Sequence, residues 1–322
     1  MGKYILRRLL LAIPVLWGIT VITFTLANIM PGDVVDALIP PEQQKTVSPE
    51  YLAMLRAYYG MDKPISTRYL IWLRELVLHG NLGHSYRSGE PVLNDIMARL
   101  PATLELTLTA MLFSLVVGSL LGIISAIKQY SFLDHLLTFL GFTWVSTPGF
   151  VFALMTLYLF SFLIPIFPTG GQGPVGEEYS FWTHMRYLFL PAAVLGLEGL
   201  AGYMRFARSS LLDVLRKEYI TGARAKGLRE KTVYLVHALR NALLPLITIA
   251  GLHLPGLIGG AFIIETIFVW PGMGRFGLNS VSTRNYPVIM GMNLVGSVLV
   301  LVANLLTDIT YAWADPRISY DD

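Results

Sequence analysis

The side chains able to do covalent or metal chemistry are few and scattered. Six histidines, His79, His84, His135, His184, His237 and His253, include no pair at metal-ligand spacing. There is no cysteine, hence no disulfide framework, thiolate ligand or thiol nucleophile. The glycine-rich stretch 170–173 does not precede Lys-Ser or Lys-Thr, and no G-x-x-x-x-G-K-[ST] phosphate loop occurs anywhere. An intramembrane protease would need paired aspartates, a Ser–His arrangement or a metal motif, and His253 has no clear nucleophile partner. What remains is charge placed in apolar sequence, which is expensive in lipid. Glu105 stands at the edge of an apolar run, where a helix N-terminus welcomes a carboxylate. Glu198 lies deeper, among Gly196, Gly199 and Gly202, on a face suited to close packing away from lipid. It reads either as a packing or gating residue or as a solute contact.

The elements that must hold these charges are apolar helices. With 54% apolar and 14% charged residues in 322, the composition is that of an all-α polytopic membrane protein. Six runs approach or exceed the roughly 20 residues needed to cross a bilayer: 9–30, 106–127, 136–167, 187–204, 242–264 and 288–307. The first follows Lys3, Arg7 and Arg8 but is too long for a signal peptide and lacks a cleavage site. The third is interrupted by Pro148, Gly149 and Pro165, with Pro168 just beyond, so it must kink or lie partly outside the bilayer.

With the N-terminus inside, segments 1–8, 128–135, 205–241 and 308–322 carry 3, 1, 9 and 1 basic residues. The opposite short loops, 168–186 and 265–287, carry 1 and 2. This bias puts both termini in the cytoplasm. The net charge is +3 and the basic residues cluster in one loop between apolar spans, which fits membrane orientation and not nucleic-acid binding. Segment 31–100 is then extracytoplasmic. Leu52, Leu55, Tyr58 and Tyr59, and then Tyr69, Ile71, Trp72, Leu73 and Leu76, predict short amphipathic helices separated by turns at Pro40–Pro41, Gly60 and 80–83. They form a structured cap or a docking surface for a delivery protein.

Residues 205–241 are too patterned for a linker. Leu211, Leu212, Leu215, Tyr219 and Ala223 recur at helical spacing, as do Leu228, Leu235, Leu239 and Ala242, with Gly222 and Gly227 between the two series. This predicts two short amphipathic helices meeting at a glycine-bearing corner. The loop could lie on anionic headgroups. The small residues Gly222, Ala223, Ala225 and Gly227 instead favour close approach by another protein. Beyond the fifth run, Glu265 opens ETIFVWPGMGRFG, where Pro271, Gly272 and Gly274 break the helix. Trp270 and Arg275 there could form an outer gate or a surface for a binding protein; the commoner alternative is an interfacial tryptophan at a turn.

The stretch YITGARAKGL…HALRNALLP resembles the cytoplasmic coupling loop of ATP-binding cassette (ABC) importer permeases of the dipeptide, oligopeptide and nickel branch. ILRRLLLAIPVLWGITVITF, MPGD, YGMDKPISTRYLIWL, GNLGHSYRSGEPV, RLPATLELTL, ETIFVWPGMGRFG, NYPVIMG and DPRI are similar to that branch in the same order, over nearly the whole chain. The match is to B-type subunits of oligopeptide permeases. In the general pattern, Glu-Ala-Ala is followed by three residues and Gly. Ala223 and Gly227 fit it, Thr221 and Gly222 depart from it, and the spacing to Leu244 and Pro245 is longer.

The resemblance implies a type I importer permease fold of six transmembrane helices, with an extracytoplasmic segment between the first two. Its parts would be a first helix in 1–30, the 31–100 segment, a core in 101–309 carrying the coupling loop 205–241, and a cytoplasmic tail in 310–322. It implies that Glu218, Tyr219, Thr221, Gly222, Ala223, Arg224, Ala225, Lys226, Gly227 and Leu228 seat against a separate ATPase subunit. It also implies Glu198, Glu265, Trp270, Pro271, Gly272 and Arg275 as gate or pathway residues. The permease would hydrolyse nothing and bind no cofactor or metal; ATP and Mg would be used by one or two cytoplasmic ATPase subunits. A second, similar permease subunit, an extracytoplasmic solute-binding protein and a bacterial or archaeal cytoplasmic membrane complete the expectation. The solute would be a di- or oligopeptide, with nickel complexes or oligosaccharides as alternatives. An ion-coupled secondary transporter, the rival class, would show inverted halves and several intramembrane carboxylates; this chain shows one deep carboxylate and no evident repeat.

Overall fold

The computed structural model describes residues 2–29, 32–39, 41–174, 176–178, 180–253 and 261–314. These form helices and connecting turns, with no strand among the described residues. They divide into two compact units: 2–103 with 271–305, and 104–270 with 306–314.

The first unit contains α1 (Gly2–Ile29), α2 (Val34–Leu38), α3 (Pro41–Gln44), α4 (Pro49–Tyr58) and α5 (Ile65–His79), then the start of α6 (Val92–Ile127). Local chemistry sets the boundaries of the short helices. Asp33 caps α2 by accepting from the amides of Val35 and Asp36, while the Asp36 side chain accepts from the Asp33 amide. Ser48 caps α4 with Pro49 behind it. Gly80 ends α5 at φ 63°, and Gly60 and Gly83 also lie at positive φ, so the expected turns are present.

Several of the sequence motifs meet in space here. Asp33 of MPGD pairs with Arg56 at 2.8 Å, and the Arg284 guanidinium lies where a side chain on Gly32 would be. Asn285 of NYPVIMG donates to Ser85 and accepts from the Tyr86 amide, both in GNLGHSYRSGEPV. Tyr86 stacks edge-on with Tyr59 and Tyr286, and burial pushes its phenol up to about 12. Thus 31–100 is one packed unit with the segment around 284–290.

The second unit holds the rest of α6, α7 (Phe132–Ser146), α8 (Gly149–Leu157) running into a π-helical turn (Tyr158–Leu163), and α9 (Phe181–Leu215). Then come α10 (Glu218–Ala225), α11 (Glu230–Thr232), a second π-helical turn (Val233–Ala238), α12 (Leu239–His253) and α13 (Phe262–Ile267). The first unit resumes with α14 (Met273–Ser282) and the start of α15 (Tyr286–Ala314). Glycines let α6 and α9 approach closely: a side chain on Gly118 or Gly122 would run into the α9 backbone at Leu200 or Met204, and one on Gly196 into Ala110.

Four helices are long and apolar enough to cross a membrane: Ile5–Ile29, Val92–Ile127, Phe181–Leu215 and Tyr286–Asp308. The third expected span is Phe132–Ser146 plus Gly149–Leu163, bent by 104° at the Thr147–Pro148 break, where Pro148 excludes a continuing helix. For the fifth, α12 ends at His253, and 254–260 lie outside the described residues. So do 315–322, which include DPRI, and the first two residues of MPGD. Among the described residues the count is therefore four helices and one bent pair.

Candidate functional site

The 205–241 loop folds as a cornered pair of helices after the C-terminal end of α9. The chain turns at Arg216 and Lys217, and α10 begins with Glu218 in its first turn and ends with Arg224 in its last, an order that suits the helix dipole. The Leu228 amide bonds back to the Ala223 carbonyl and the Gly227 amide to Arg224, with Gly227 at φ 77°. This is a Schellman-type stop, which needs a residue tolerant of the left-handed region. Arg224 then clasps Glu230 across the corner with two bonds of 2.9 and 3.2 Å; that pairing holds the Glu230 carboxyl below the usual range.

Only some of the expected faces are met. Ile220 and Ala223 are buried with Leu211, Ala126, Val233, Ala238 and Ala242. Glu218, Tyr219, Thr221, Gly222, Arg224, Ala225, Lys226, Gly227 and Leu228 are exposed. Ala223 is therefore small in order to seat α10 on its own chain, while Gly222 and Gly227 face open space. Tyr219, in the first helical series but not in its buried face, is exposed because the turn at 216–217 restarts the helical period; its hydroxyl accepts from Asn241 at 2.9 Å. In the second series, Leu235 is exposed and Val233, Ala238 and Ala242 are buried. The π-helical turn explains this: its i→i+5 bonding puts residues five apart, 233 and 238, on one face and rotates Leu235 outward.

Sequence reading missed a buried ion pair beside this corner. Asp134, near the start of α7, is 3% exposed and receives Nε and Nη2 of Arg208 on α9 at 3.0 and 2.9 Å. It also accepts from the Ser125 hydroxyl and, at 2.9 Å, from the Tyr130 amide. The guanidinium, with the Ser125 and Tyr130 bonds, holds the Asp134 carboxyl far below the carboxylate range, outweighing desolvation. The Tyr130 contact anchors a residue at φ 63°. The signal available in sequence was a lone acid, Asp134, capped by Ser131 just after a hydrophobic helix; its partner lay 74 positions away.

Glu198 is exposed on α9 at mid-helix, with its carboxylate against Gly149 at the N-terminus of α8. The glycines around it are packed unequally: Gly196 and Gly199 face Ser114 on α6, whereas Gly202 faces open space. Ser114 also donates to the Gly196 carbonyl. Glu105 is not at a helix start. Because α6 begins at Val92, Glu105 lies several turns inside it, and its carboxylate meets His184 Nε2, whose Nδ1 is 2.9 Å from the Gln172 carbonyl.

Trp270 is fully buried, as is Glu265, so the interfacial-tryptophan alternative does not hold. The Trp270 amide donates to the Glu265 carbonyl at 2.8 Å and its ring lies 6.0 Å from that of His184. Val269 between them has φ 52°, strained for a β-branched residue. Gly272 is buried, Pro271 and Arg275 are exposed, and the two compact units divide between Trp270 and Pro271. No group of three or more metal-ligating side chains occurs among the described residues.

Helices long and apolar enough to cross a membrane, with a cornered, charged loop after one of them, define a membrane-embedded protein. Residues 118–320 match the family described as "Binding-protein-dependent transport system inner membrane component", and 1–107 match its N-terminal family. The chain belongs to this family. It is 42% identical over 321 residues to the "Oligopeptide transport system permease protein AppB" of Bacillus subtilis, covering 99% of this chain and 100% of that one. It is 39% identical to the "Dipeptide transport system permease protein DppB" of Escherichia coli K12, covering 99% of each. The fold is shared with a solved chain of the MetNI methionine ABC transporter in an inward-facing conformation, at TM-score 0.53 and 16% identity, over 70% of this chain and 99% of that one.

Proposed function

We propose that this chain is one of two permease subunits lining the pathway of an ATP-driven importer for di- and oligopeptides. The observation that carries the reading is the 205–241 corner. It is rigidified from within by the buried Ile220 and Ala223 and by the Arg224–Glu230 clasp. Outward it presents Thr221, Gly222, Ala225 and Gly227, a small-residue surface for the groove of a cytoplasmic ATPase. Closure of two ATPase subunits on ATP and Mg would move the corner, and α9 with it, between inward-open and outward-open states. Both termini lie in the cytoplasm, and the 31–100 unit faces an extracytoplasmic solute-binding protein. The peptide assignment follows the relatives, whose names specify oligopeptides and dipeptides.

The test separates contact from strain. Gly227 at φ 77° would be strained by almost any side chain, so a bulky substitution there is ambiguous. Gly222 is helical and faces open space. Gly222→Arg should leave the permease in the membrane with unchanged thermal stability while peptide uptake by the reconstituted complex falls at least about tenfold. Gly227→Asn, which tolerates the left-handed region, should retain most uptake. Normal ATP-dependent uptake by Gly222→Arg, or by this chain without any ATPase subunit, would refute the coupling role.

A further inference from the structure

Of the long apolar helices, α9 is the most enclosed, and in its second half most of what it leaves uncovered is polar. Between positions 190 and 209 its exposed residues are Glu198, Arg205, Phe206 and Ser209, and the site of a side chain on Gly202 is open. Glu198, Gly202, Arg205 and Ser209 are spaced by four, three and four residues, so they form one stripe on the helix. Among the described residues neither Glu198 nor Arg205 makes an ion pair or a side-chain hydrogen bond. Their neighbour Arg208 does, with Asp134. Seven residues of helix separate them by about 10 Å along the axis, too far to neutralise each other directly. A carboxylate inside an apolar run belongs on an aqueous route, because lipid would not solvate it.

We propose that Glu198 and Arg205 form a two-pole subsite for a short peptide with free ends, the ammonium at Glu198 and the carboxylate at Arg205. This rests on the peptide reading above and deepens it. An extended tripeptide spans about 10 Å, which matches the rise between the two poles. The absent side chain at Gly202 leaves room for its backbone over the stripe. Beside Arg205 a cavity of about 270 Å3 is walled mainly by Phe142, Val145, Ala201 and Met204, with Thr138 and Arg208 at its polar side, which leaves an apolar wall for a peptide side chain. Gly149 leaves space for the Glu198 carboxylate at the first turn of α8, whose dipole favours a negative charge there. The carboxylate is thus positioned beside the break at Pro148, with no hydrogen-bond or ion-pair partner among the described residues to compete with a ligand.

The test uses the complete importer, with its second permease and ATPases, in nanodiscs without solute-binding protein, so that only the membrane subunits select. Binding of trialanine, N-acetyl-trialanine and trialanine amide is measured by equilibrium dialysis. Each cap should weaken binding to the unmodified complex about tenfold. Glu198→Gln should erase the penalty of the N-acetyl group and keep that of the amide, and Arg205→Gln should do the reverse. Equal binding of all three peptides to the unmodified complex, or equal loss of all three in both variants, overturns the subsite. So does dissociation of the two permeases in either variant, which would make the stripe a subunit contact. Loss of co-purifying anionic lipid in Arg205→Gln with unaltered peptide discrimination would assign Arg205 to a headgroup and likewise overturn it. Uptake of trialanine by the full system with its binding protein tests the underlying reading separately: uptake without cap discrimination sinks only the subsite, whereas no uptake sinks the peptide assignment.

Discussion

At the scale of single residues, the most informative group is Asp134. Buried carboxylates survive only when paired, and this one accepts from Arg208, Ser125 and Tyr130 together. Its carboxyl is held below the ordinary value near 4. The stability it contributes is therefore complete above about pH 4 and is lost as pH falls through the lower, folded value. Arg208→Ala should destabilise the purified complex by about 2–3 kcal/mol, a figure reduced because Arg208 is 30% exposed. In thermal melts, the gap between the unmodified protein and Asp134→Asn should be full at pH 7 and shrink only in strong acid. A gap that closes between pH 7 and 5 would contradict the pairing. Arg208 fastens α9 to the first turn of α7, three residues beyond Arg205.

At the scale of elements, the packing of α6 on α9 depends on backbone contact. The space at Gly122 is taken by the Met204 carbonyl and Ala207, so even a methyl group would force the helices apart. Gly122→Leu should abolish a stable, monodisperse protein or lower its melting temperature by several degrees, consistent with the 1–3 kcal/mol or more of overpacking. Gly18→Leu, at a position with nothing within 4 Å, should melt like the parent. Equal behaviour of the two would show that α6 and α9 are not in close contact. The π-helical turns are the second lesson at this scale. One residue's extra rotation at 233–238 brings Ala238 inward and sends Leu235 out, changing which side chains α12 offers to its surroundings.

At the scale of the whole molecule, the bent pair α7–α8 decides on which side of the membrane the segments after it lie. If it spans, residues on either side of it face opposite compartments. The chain has no cysteine, so single cysteines report cleanly. In right-side-out vesicles, Ser88→Cys and Gly173→Cys should react with a membrane-impermeant maleimide, and Gly222→Cys only after the membrane is opened. Gly173 is exposed with open space around it, so lack of labelling would mean protection by the bilayer or the other side. Protection of Gly173→Cys until lysis would make α7–α8 a re-entrant element and invert the topology that follows it.

Membrane character, four of the six expected spans as unbroken helices, the break at Pro148 and the existence of the 205–241 corner were legible in sequence, because apolar length, proline and glycine act locally. Helix ends were not. Apolarity marks only the part of a helix in lipid, and α6 continues back to Val92 because Val92 and Ile96 bury against Leu82, Met273 and Val288. That displacement moved Glu105 from a presumed helix start to a pair with His184. Nor could spacing say which side of the corner faces inward, since a π-helical turn does not announce itself in composition. The pairings of Asp134 with Arg208 and of Asn285 with Ser85 join residues 74 and 200 positions apart. Sequence alone determined, through solvation and local backbone preference, that this is a helical membrane protein, and its ordered motifs carried the family resemblance; only the tertiary structure decided which charges are neutralised within the chain, because that depends on where distant helices meet.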